Sequence, residues 1–224
     1  MLDQALPRLR VDPARGGDPA SFFDAPPALL GLEIGFGGGE HAASLAAGDP
    51  TLGLIACEVF EPGLCSMLSR LVPDTADPAT APLPGNLRLW DDDARILMRA
   101  LRPSCLDLVA LMFPDPWPKA RHAKRRFVHP AQVALVAGLL KPGGVWRVAS
   151  DDPTYQDWTR DTMANQVLFA PAEPQTKRPA GWPATRYEAK ALRAGRRPLY
   201  WSFTRTTAEA AAPEVGWSRT EPPP

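Results

Sequence analysis

The sequence has few cysteines, few histidines and no long hydrophobic run, and each shortage excludes a class of protein. Its three cysteines, Cys57, Cys65 and Cys105, form no C-x-x-C pair, and its three histidines complete no zinc pattern. We therefore expect free, buried thiols and no metal site. No apolar stretch reaches the roughly 18 residues that a membrane span needs, and residues 1–10 lack the apolar segment of a secretory signal. These absences predict a cytoplasmic protein that does not bind a membrane.

The sequence also lacks net charge, because 25 Lys and Arg residues balance 25 Asp and Glu residues. Proteins that bind nucleic acids commonly carry a basic excess, so a neutral total weighs mildly against that function. A neutral chain can still carry a local basic segment, and the distribution of charge therefore matters more than its sum. The 224 residues, 45% of them hydrophobic, suffice for one buried core.

The chain alternates between apolar segments typical of strands and segments typical of helices. Strands are predicted at residues 29–34, 51–59, 86–90, 106–113, 145–149 and 198–204. Helices are predicted at residues 40–47, 62–71, 94–101, 130–140 and 154–165. This alternation predicts an α/β fold, with a mostly parallel sheet and helices on both faces. We expect an irregular lead-in over residues 1–28, the folded domain over residues 29–206, and a flexible tail over residues 207–224.

Three glycines, Gly35, Gly37 and Gly39, follow the first predicted strand and open a helix. Glycines at such a turn let a ligand approach the backbone, although a tight turn without a ligand would have the same pattern. Glu33 precedes them, and Glu40 stands where a dinucleotide site has Gly or Ala. Because this charge disfavours a pyrophosphate and favours a cation, the pattern predicts S-adenosylmethionine rather than NAD.

Further acidic residues follow the next strands. Glu58 ends the second strand, about 20 residues beyond the glycines, where an acid can bind ribose hydroxyls. Asp93 ends the third strand and is a candidate for the adenine amino group, with Asp91 and Asp92 as alternatives; it is also a good helix N-cap. Asp115 follows the fourth strand. The carboxyl ends of parallel strands meet at one edge of a sheet, so we expect one site there.

The segment from Phe113 to Arg126 is the most informative part of the sequence. Prolines brace Asp115 and Trp117 in a stiff turn, and a dense basic run follows. A solvated charged loop is the plain alternative, but clustered like charges favour an anionic partner such as a phosphate backbone. An acid and an indole beside a basic run suit a looped-out base, with Trp117 either stacking on the base or filling the core.

Four separated motifs stand out along the chain: LEIGFG at residues 32–37, FPDPWPKARHAKRR at residues 113–126, SDxxxY at residues 150–155, and TRYE at residues 185–188. Together these motifs resemble the bacterial type of tRNA (guanine-N7-)-methyltransferase. The resemblance covers about residues 29–205. Arg186 and Tyr187 stand where that family usually has Lys and Phe, and residues 1–28 lack its usual basic arm. The resemblance implies a Rossmann-like class I methyltransferase fold with a seven-stranded, mostly parallel sheet.

The resemblance also implies roles for individual residues, and these join the three glycines already predicted from their pattern. The residues expected to bind the cofactor are Glu33, Gly35, Gly37, Gly39, Glu58, Asp93 and Asp115. Asp115 also matches the catalytic acid. The residues expected to bind the substrate are Lys119, Asp151, Thr185, Arg186, Tyr187 and Glu188. The residues expected to contact RNA are Arg121, His122, Lys124, Arg125 and Arg126.

The activity that the resemblance implies is methyl transfer from S-adenosylmethionine to N7 of a guanine in tRNA, the variable-loop guanine at position 46. S-adenosylhomocysteine would be the second product, tRNA the partner, and neither a metal nor an obligatory protein partner is expected. Either a monomer or a homodimer is compatible. Three alternatives stay open: a small-molecule methyltransferase, a tRNA-binding protein whose activity is weakened or lost with the basic arm, and a NAD-dependent dehydrogenase. The dehydrogenase ranks last, because Glu33 and Glu40 argue against a dinucleotide site.

Overall fold

The computed structural model describes residues 1–210, and a six-stranded sheet forms its centre. The strands are β1 (Leu29–Ile34), β2 (Leu52–Cys57), β3 (Leu87–Trp90), β4 (Leu106–Met112), β5 (Leu140–Ser150) and β6 (Leu199–Thr204). Their order is β3-β2-β1-β4-β5-β6, and every neighbouring pair is parallel except β5 and β6. The order reverses between β1 and β4, which creates a crevice at the carboxyl ends of these two strands.

Seven helices accompany the sheet within residues 1–210. They are α1 (Leu2–Leu9), α2 (Glu40–Gly48), α3 (Glu61–Leu71), α4 (Ala94–Ala100), α5 (Pro130–Leu139), α6 (Pro153–Ala164) and α7 (Arg186–Arg193). Short 3₁₀ helices lie at Pro13–Arg15, Pro19–Phe22 and Ala120–Arg125. None of the helices in this described part is both long and apolar enough to cross a membrane.

Two apolar cores lie on the two faces of the sheet, because side chains alternate along a strand. In β2, Ile55 belongs to the core that also receives α5 and α6, whereas Leu54 belongs to the core that receives α1, α2 and α3. In β1, Leu32 points to the first of these cores. The predicted α/β fold with helices on both faces is confirmed.

The sheet has six strands over the described residues, not the seven that the resemblance implies. Beside β6, residues 1–210 make two isolated antiparallel bridges, Phe169 with Arg205 and, on β6 itself, Gln175 with Tyr200. Residues 171–183 include four prolines. Because proline has no N–H to give to a ladder, this segment does not extend the bridges into a continuous strand.

The helix α1 was not predicted, because residues 1–28 were expected to be irregular. Ala5, Leu6 and Leu9 are buried, and the helix packs on α3 and β3. After it, the N–H of Val11 donates to the carbonyl of Leu89 at 2.8 Å, so the chain continues beside the edge strand β3. The high Pro and Gly content of residues 1–28 obscured this short apolar periodicity. The predicted tail, residues 207–224, lies mostly outside the described residues.

Candidate active site at the carboxyl edge of the sheet

A cavity of about 470 Å³ opens at the carboxyl ends of the first four strands. Its acidic lining consists of Glu58, Asp92, Asp93 and Asp115. Three of the four acids that were predicted to bind the cofactor therefore share one cavity. The fourth, Glu33, does not line it.

Glu58 is held in place by backbone N–H groups. One carboxylate oxygen accepts from Gly37 at 2.7 Å, and the other accepts from Val59 and Phe60, each at 2.9 Å. Hydrogen bonds from N–H groups to a carboxylate are stronger than neutral ones and fix its orientation. The side chain thus ties the glycine turn to the start of α3, and its carboxylate is oriented before any ligand binds.

Glu33 lies behind the cavity and is only 1% exposed. Its Oε2 is 2.7 Å from Nδ1 of His41, which α2 supplies and which is also buried. A buried carboxylate is costly without a partner, and His41 provides that partner. His41 is not among the residues predicted from the sequence, because its approach to Glu33 depends on how α2 packs on β1.

The three glycines of the turn have different neighbours. Gly35 lines the cavity with a φ of 67°, and nothing lies within 4 Å of the direction in which a Cβ would project. A Cβ on Gly37 would lie 3.0 Å from the ring of Tyr187, and one on Gly39 would lie 2.8 Å from the sulfur of Met67. Gly35 therefore faces the cavity, whereas the other two glycines permit close packing of α7 and α3.

Asp93 is the N-cap of α4 and is bound closely by Arg95. It accepts from the Arg95 N–H at 2.9 Å and from Nη2 of the guanidinium at 2.6 Å. Burial raises the pKa of Asp93, but the hydrogen bonds and charge of Arg95 outweigh burial, so this pKa lies below its usual value. Asp92 also lines the cavity, whereas Asp91 forms an ion pair with Arg10 and does not.

Asp115 lies in an exposed turn directly after β4. Phe113 and Trp117 flank it with φ values of 53° and 42°, which are unusual for bulky residues. Backbone strain of this kind is concentrated at functional sites. Within residues 1–210 the carboxylate of Asp115 makes no hydrogen bond and no ion pair with another side chain. It is therefore available to a ligand in the cavity.

Arg126, one of the predicted RNA contacts, is only 6% exposed, although it also lines the cavity. Its guanidinium donates to the carbonyls of Pro116 at 3.2 Å and Trp117 at 3.0 Å, and it lies 4.8 Å from the centre of the Trp158 ring. These contacts brace the turn that carries Asp115. Arg126 therefore positions that turn, and its predicted contact with RNA stays a prediction.

The remaining cations of this run form an exposed surface, which we call the basic segment (residues 119–125). Lys119, Arg121, Lys124 and Arg125 are exposed, and the last two also line the cavity. Trp117 is half-buried, with the guanidinium of Arg125 4.7 Å from its ring centre. The indole lines the cavity and does not belong to the apolar cores. The ring of His122 meets it edge-on, with the two ring centres 5.8 Å apart.

The TRYE motif begins helix α7, which is not among the helices predicted from the sequence. The hydroxyl of Thr185 accepts from the N–H of Glu188 at 3.0 Å and caps the helix. The carboxylate of Glu188 is buried, and accepts from Arg178 at 3.0 Å and from the hydroxyl of Tyr200 at 2.8 Å. Thr-x-x-Glu is a recognised helix-start signature, and it was the signal that could have predicted α7.

Asp151 follows β5 at the same edge of the sheet. Its carboxylate pairs with Arg196, which lies between α7 and β6, at 2.7 Å. This ion pair ties the end of β5 to the segment that carries Arg186 and Tyr187. The predicted substrate-binding residues after β5 and on α7 are therefore linked, although neither Asp151 nor residues 185–188 line the cavity itself.

The fold and the acid-lined cavity at its switch point define a Rossmann-like methyltransferase. Residues 27–200 match the model of a family described as "Putative methyltransferase". A solved rRNA methylase from Streptococcus thermophilus has a TM-score of 0.53 at 16% identity, covering 84% of this chain and 92% of that chain. The 16S rRNA methyltransferase KamB has a TM-score of 0.53 at 17% identity, covering 80% and 89%. At such low identity these two structures show the fold alone.

Curated relatives define the family more narrowly. A tRNA (guanine-N(7)-)-methyltransferase from Granulibacter bethesdensis is 60% identical over 205 residues, covering 92% of this chain and 87% of the relative. A protein of the same name from Rhodospirillum rubrum is 44% identical over 231 residues, covering 96% and 88%. The chain belongs to the tRNA (guanine-N7-)-methyltransferase family. The family predicted from the four motifs is thereby confirmed.

Proposed function

We propose that this enzyme transfers a methyl group from S-adenosylmethionine to N7 of guanine 46 in the variable loop of tRNA. The observation that carries the proposal is a single cavity in which Glu58, Asp93 and Asp115 meet Lys124 and Arg125. Carboxylates favour a cationic methyl donor, and basic side chains favour the phosphates of its acceptor. Membership of the family supports the reaction, and the choice of position 46 comes from the motif resemblance.

The residues of the cavity fit S-adenosylmethionine. When bound there, this cofactor supplies an electrophilic methyl group on a positively charged sulfur. Oε2 of Glu58 accepts from the N–H of Gly37 and has capacity for one further donor, which suits a ribose hydroxyl. Asp93 or its neighbour Asp92 can accept from the adenine amino group. The open side of Gly35 lets the cofactor approach the backbone closely. Glu33 does not line the cavity, and it acts on the cofactor through its negative charge.

Asp115 is the residue that we assign to the reaction. N7 of guanine carries an in-plane lone pair and no proton, so the attack needs alignment rather than a general base. Asp115 accepts from the N1 and N2 donors of the guanine and stabilises the positive charge that develops on the base. We assign Asp151 a supporting share of this work. The strained turn, braced by Arg126, holds the Asp115 carboxylate at the cavity.

The exposed residues around the cavity are the proposed tRNA contacts. Those of the basic segment are Lys119, Arg121, Lys124 and Arg125, to which we add the half-buried His122. On α7, Arg186 and Tyr187 are exposed and contact the substrate, while Thr185 and Glu188 fix the helix that carries them. We propose that the enzyme acts in the cytoplasm, releases S-adenosylhomocysteine and needs no metal.

The test is an incubation of the enzyme with labelled S-adenosylmethionine and unmodified tRNA transcript, followed by identification of the labelled nucleoside. We expect label in 7-methylguanosine, and no label in a transcript whose guanine 46 is replaced by adenine. Label at another guanine would overturn the position, and label at another base would overturn the reaction. Binding of tRNA without methyl transfer would favour a tRNA-binding protein. Methyl transfer to a small acceptor in the absence of RNA would favour a small-molecule methyltransferase.

A further inference from the structure

Helix α7 carries a second basic surface that the reaction chemistry does not use. Arg186, Lys190 and Arg193 are spaced by four and three residues, which places them on one side of a helix. All three are exposed, and with Tyr187 they line a surface depression of about 350 Å³. We call these three cations the α7 basic face. In a chain without net charge, this concentration of one sign indicates an anionic partner.

The α7 basic face lies next to the glycine turn of the active site. A Cβ on Gly38 would lie 2.9 Å from Cζ of Arg186, and a Cβ on Gly37 would lie 3.0 Å from the ring of Tyr187. The N–H of Gly37 in turn binds Glu58, which lines the cavity. A ligand on this face is therefore separated from the cavity only by the glycine turn.

The basic segment and the α7 basic face lie on opposite faces of the sheet. The basic segment leads into Arg126, which stacks on Trp158 of α6, and α6 belongs to the core shared with α5. Arg186 instead approaches Glu40 of α2, at 3.9 Å, and α2 belongs to the other core. The cavity at the edge of the sheet thus has cations on both sides.

The helix that presents these cations is fixed at several points. Thr185 caps its start, and Glu188 joins its buried side to Arg178 and Tyr200. Ala191 is buried on that same side. A helix anchored in this way holds its exposed cations at set spacings, which suits a regular array of charges better than a mobile loop would.

We propose that the α7 basic face binds the phosphate backbone of the RNA substrate, so that the RNA crosses the cavity from the basic segment to α7. The inference rests on the proposed function and extends it to Lys190 and Arg193, which no motif in the sequence singles out. Residues 186–193 span about 10 Å of helix, at about 1.5 Å per residue. The three cations can therefore reach neighbouring phosphates of one RNA strand.

The test is the salt dependence of tRNA binding by the double variant Lys190→Gln/Arg193→Gln. We expect the dissociation constant to rise on the order of tenfold, and the slope of log K against log salt to flatten by about 1.5, because each lost phosphate contact removes about 0.7–0.9. Lys190→Glu/Arg193→Glu should weaken binding further. The charge-preserving exchange Lys190→Arg/Arg193→Lys should retain the wild-type slope, which a merely structural role would not predict.

The matched control is Arg102→Gln/Arg160→Gln, which removes two other exposed cations that pair with Asp18 and Asp157. We expect this control to bind tRNA and to transfer methyl groups as the wild type does. A wild-type slope in Lys190→Gln/Arg193→Gln, or an equal loss in the control, would overturn the inference while the wild type still methylates tRNA. Failure of the wild type to methylate tRNA would instead overturn the proposed function. Unchanged affinity for S-adenosylmethionine verifies that each variant is folded.

Discussion

The acidic side and the basic side of the cavity differ in how their charges are held. On the acidic side, Glu33 meets His41, Glu58 accepts from three backbone N–H groups, and Asp93 is bound by Arg95. On the basic side, the cations of the basic segment and of α7 are exposed. A site for a small cation gains from charges oriented before binding, whereas a site for a polyanion leaves its cations to be neutralised by the partner.

Asp115 belongs to neither pattern. It is an acid, yet within residues 1–210 it has no internal partner, and its turn is strained instead. The position of its carboxylate is thus set by the backbone and by Arg126, and its hydrogen-bonding capacity remains for a ligand. Four predictions test whether this division between fixed and available charges is right.

The largest effect is expected for Asp115→Asn. The amide has nearly the shape of the carboxylate but lacks its charge, so turnover with tRNA should fall by about 100- to 1,000-fold. Binding of S-adenosylmethionine, measured by calorimetry, should be largely retained. Asp152→Asn is the control, because Asn keeps the N-cap of α6 while also removing an acid from this edge. Wild-type turnover in Asp115→Asn would remove Asp115 from the reaction.

The next effect is expected for His41→Leu, which leaves the buried carboxylate of Glu33 without its partner. We expect a loss of roughly 1–3 kcal/mol in the free energy of unfolding, seen as a lower midpoint in urea denaturation. His41→Asn, which keeps a donor near Nδ1, should recover part of that loss. Equal stability of the Leu variant and the wild type would mean that the contact does not stabilise the fold.

The third prediction, with a smaller expected effect, distinguishes the role of Arg126 from that of the basic segment. Arg121→Gln/Lys124→Gln should weaken tRNA binding by on the order of tenfold and flatten its salt dependence, since phosphate contacts are lost. Arg126→Gln should leave the salt slope unchanged and instead lower thermal stability and turnover, because the Asp115 turn loses its brace. If Arg126→Gln flattened the slope as much as the double variant, Arg126 would be an RNA contact after all.

The smallest effect is expected for Arg95→Gln, measured as thermal stability against pH. The pKa of Asp93 is lowered in the folded state, so its contribution to stability is present above its unfolded pKa of about 3.9. This contribution is lost as the pH falls through the folded pKa. The wild type should therefore exceed Arg95→Gln by up to about 1 kcal/mol at neutral pH, and the two should converge in acid. A constant difference across this range would show that Arg95 acts by packing alone.

Much of the fold and of the site could be predicted from local patterns. The alternation of strands and helices, the glycine turn at Gly35 and the acids after the strands all follow from short stretches of chain. Because parallel strands end at one edge, the meeting of Glu58, Asp93 and Asp115 was also predictable. The family followed from the motifs, and above all from residues 113–126.

The features that escaped prediction depend on residues that are distant in the chain or on competing local signals. Helix α1 is stabilised by packing on α3 and β3, and the prolines around it concealed its pattern. Helix α7 is anchored by Arg178 and Tyr200, and within the sequence only the Thr-x-x-Glu capping pattern marks its start. The proline-rich segment that follows Phe169 makes isolated bridges beside β6 rather than a continuous ladder, so the expected seventh strand does not form in the described residues.

The sequence by itself therefore determined the class of fold, the sheet edge that carries the site and the family, since these rest on periodicity and on motifs within short segments. Only the tertiary structure decided which charges are buried and which are available. Arg125 and Arg126 are neighbours in the chain, yet one is exposed over an indole at the cavity and the other is buried beneath the turn. The reason is physical: burial depends on what packs against a side chain, and that packing comes from distant parts of the chain.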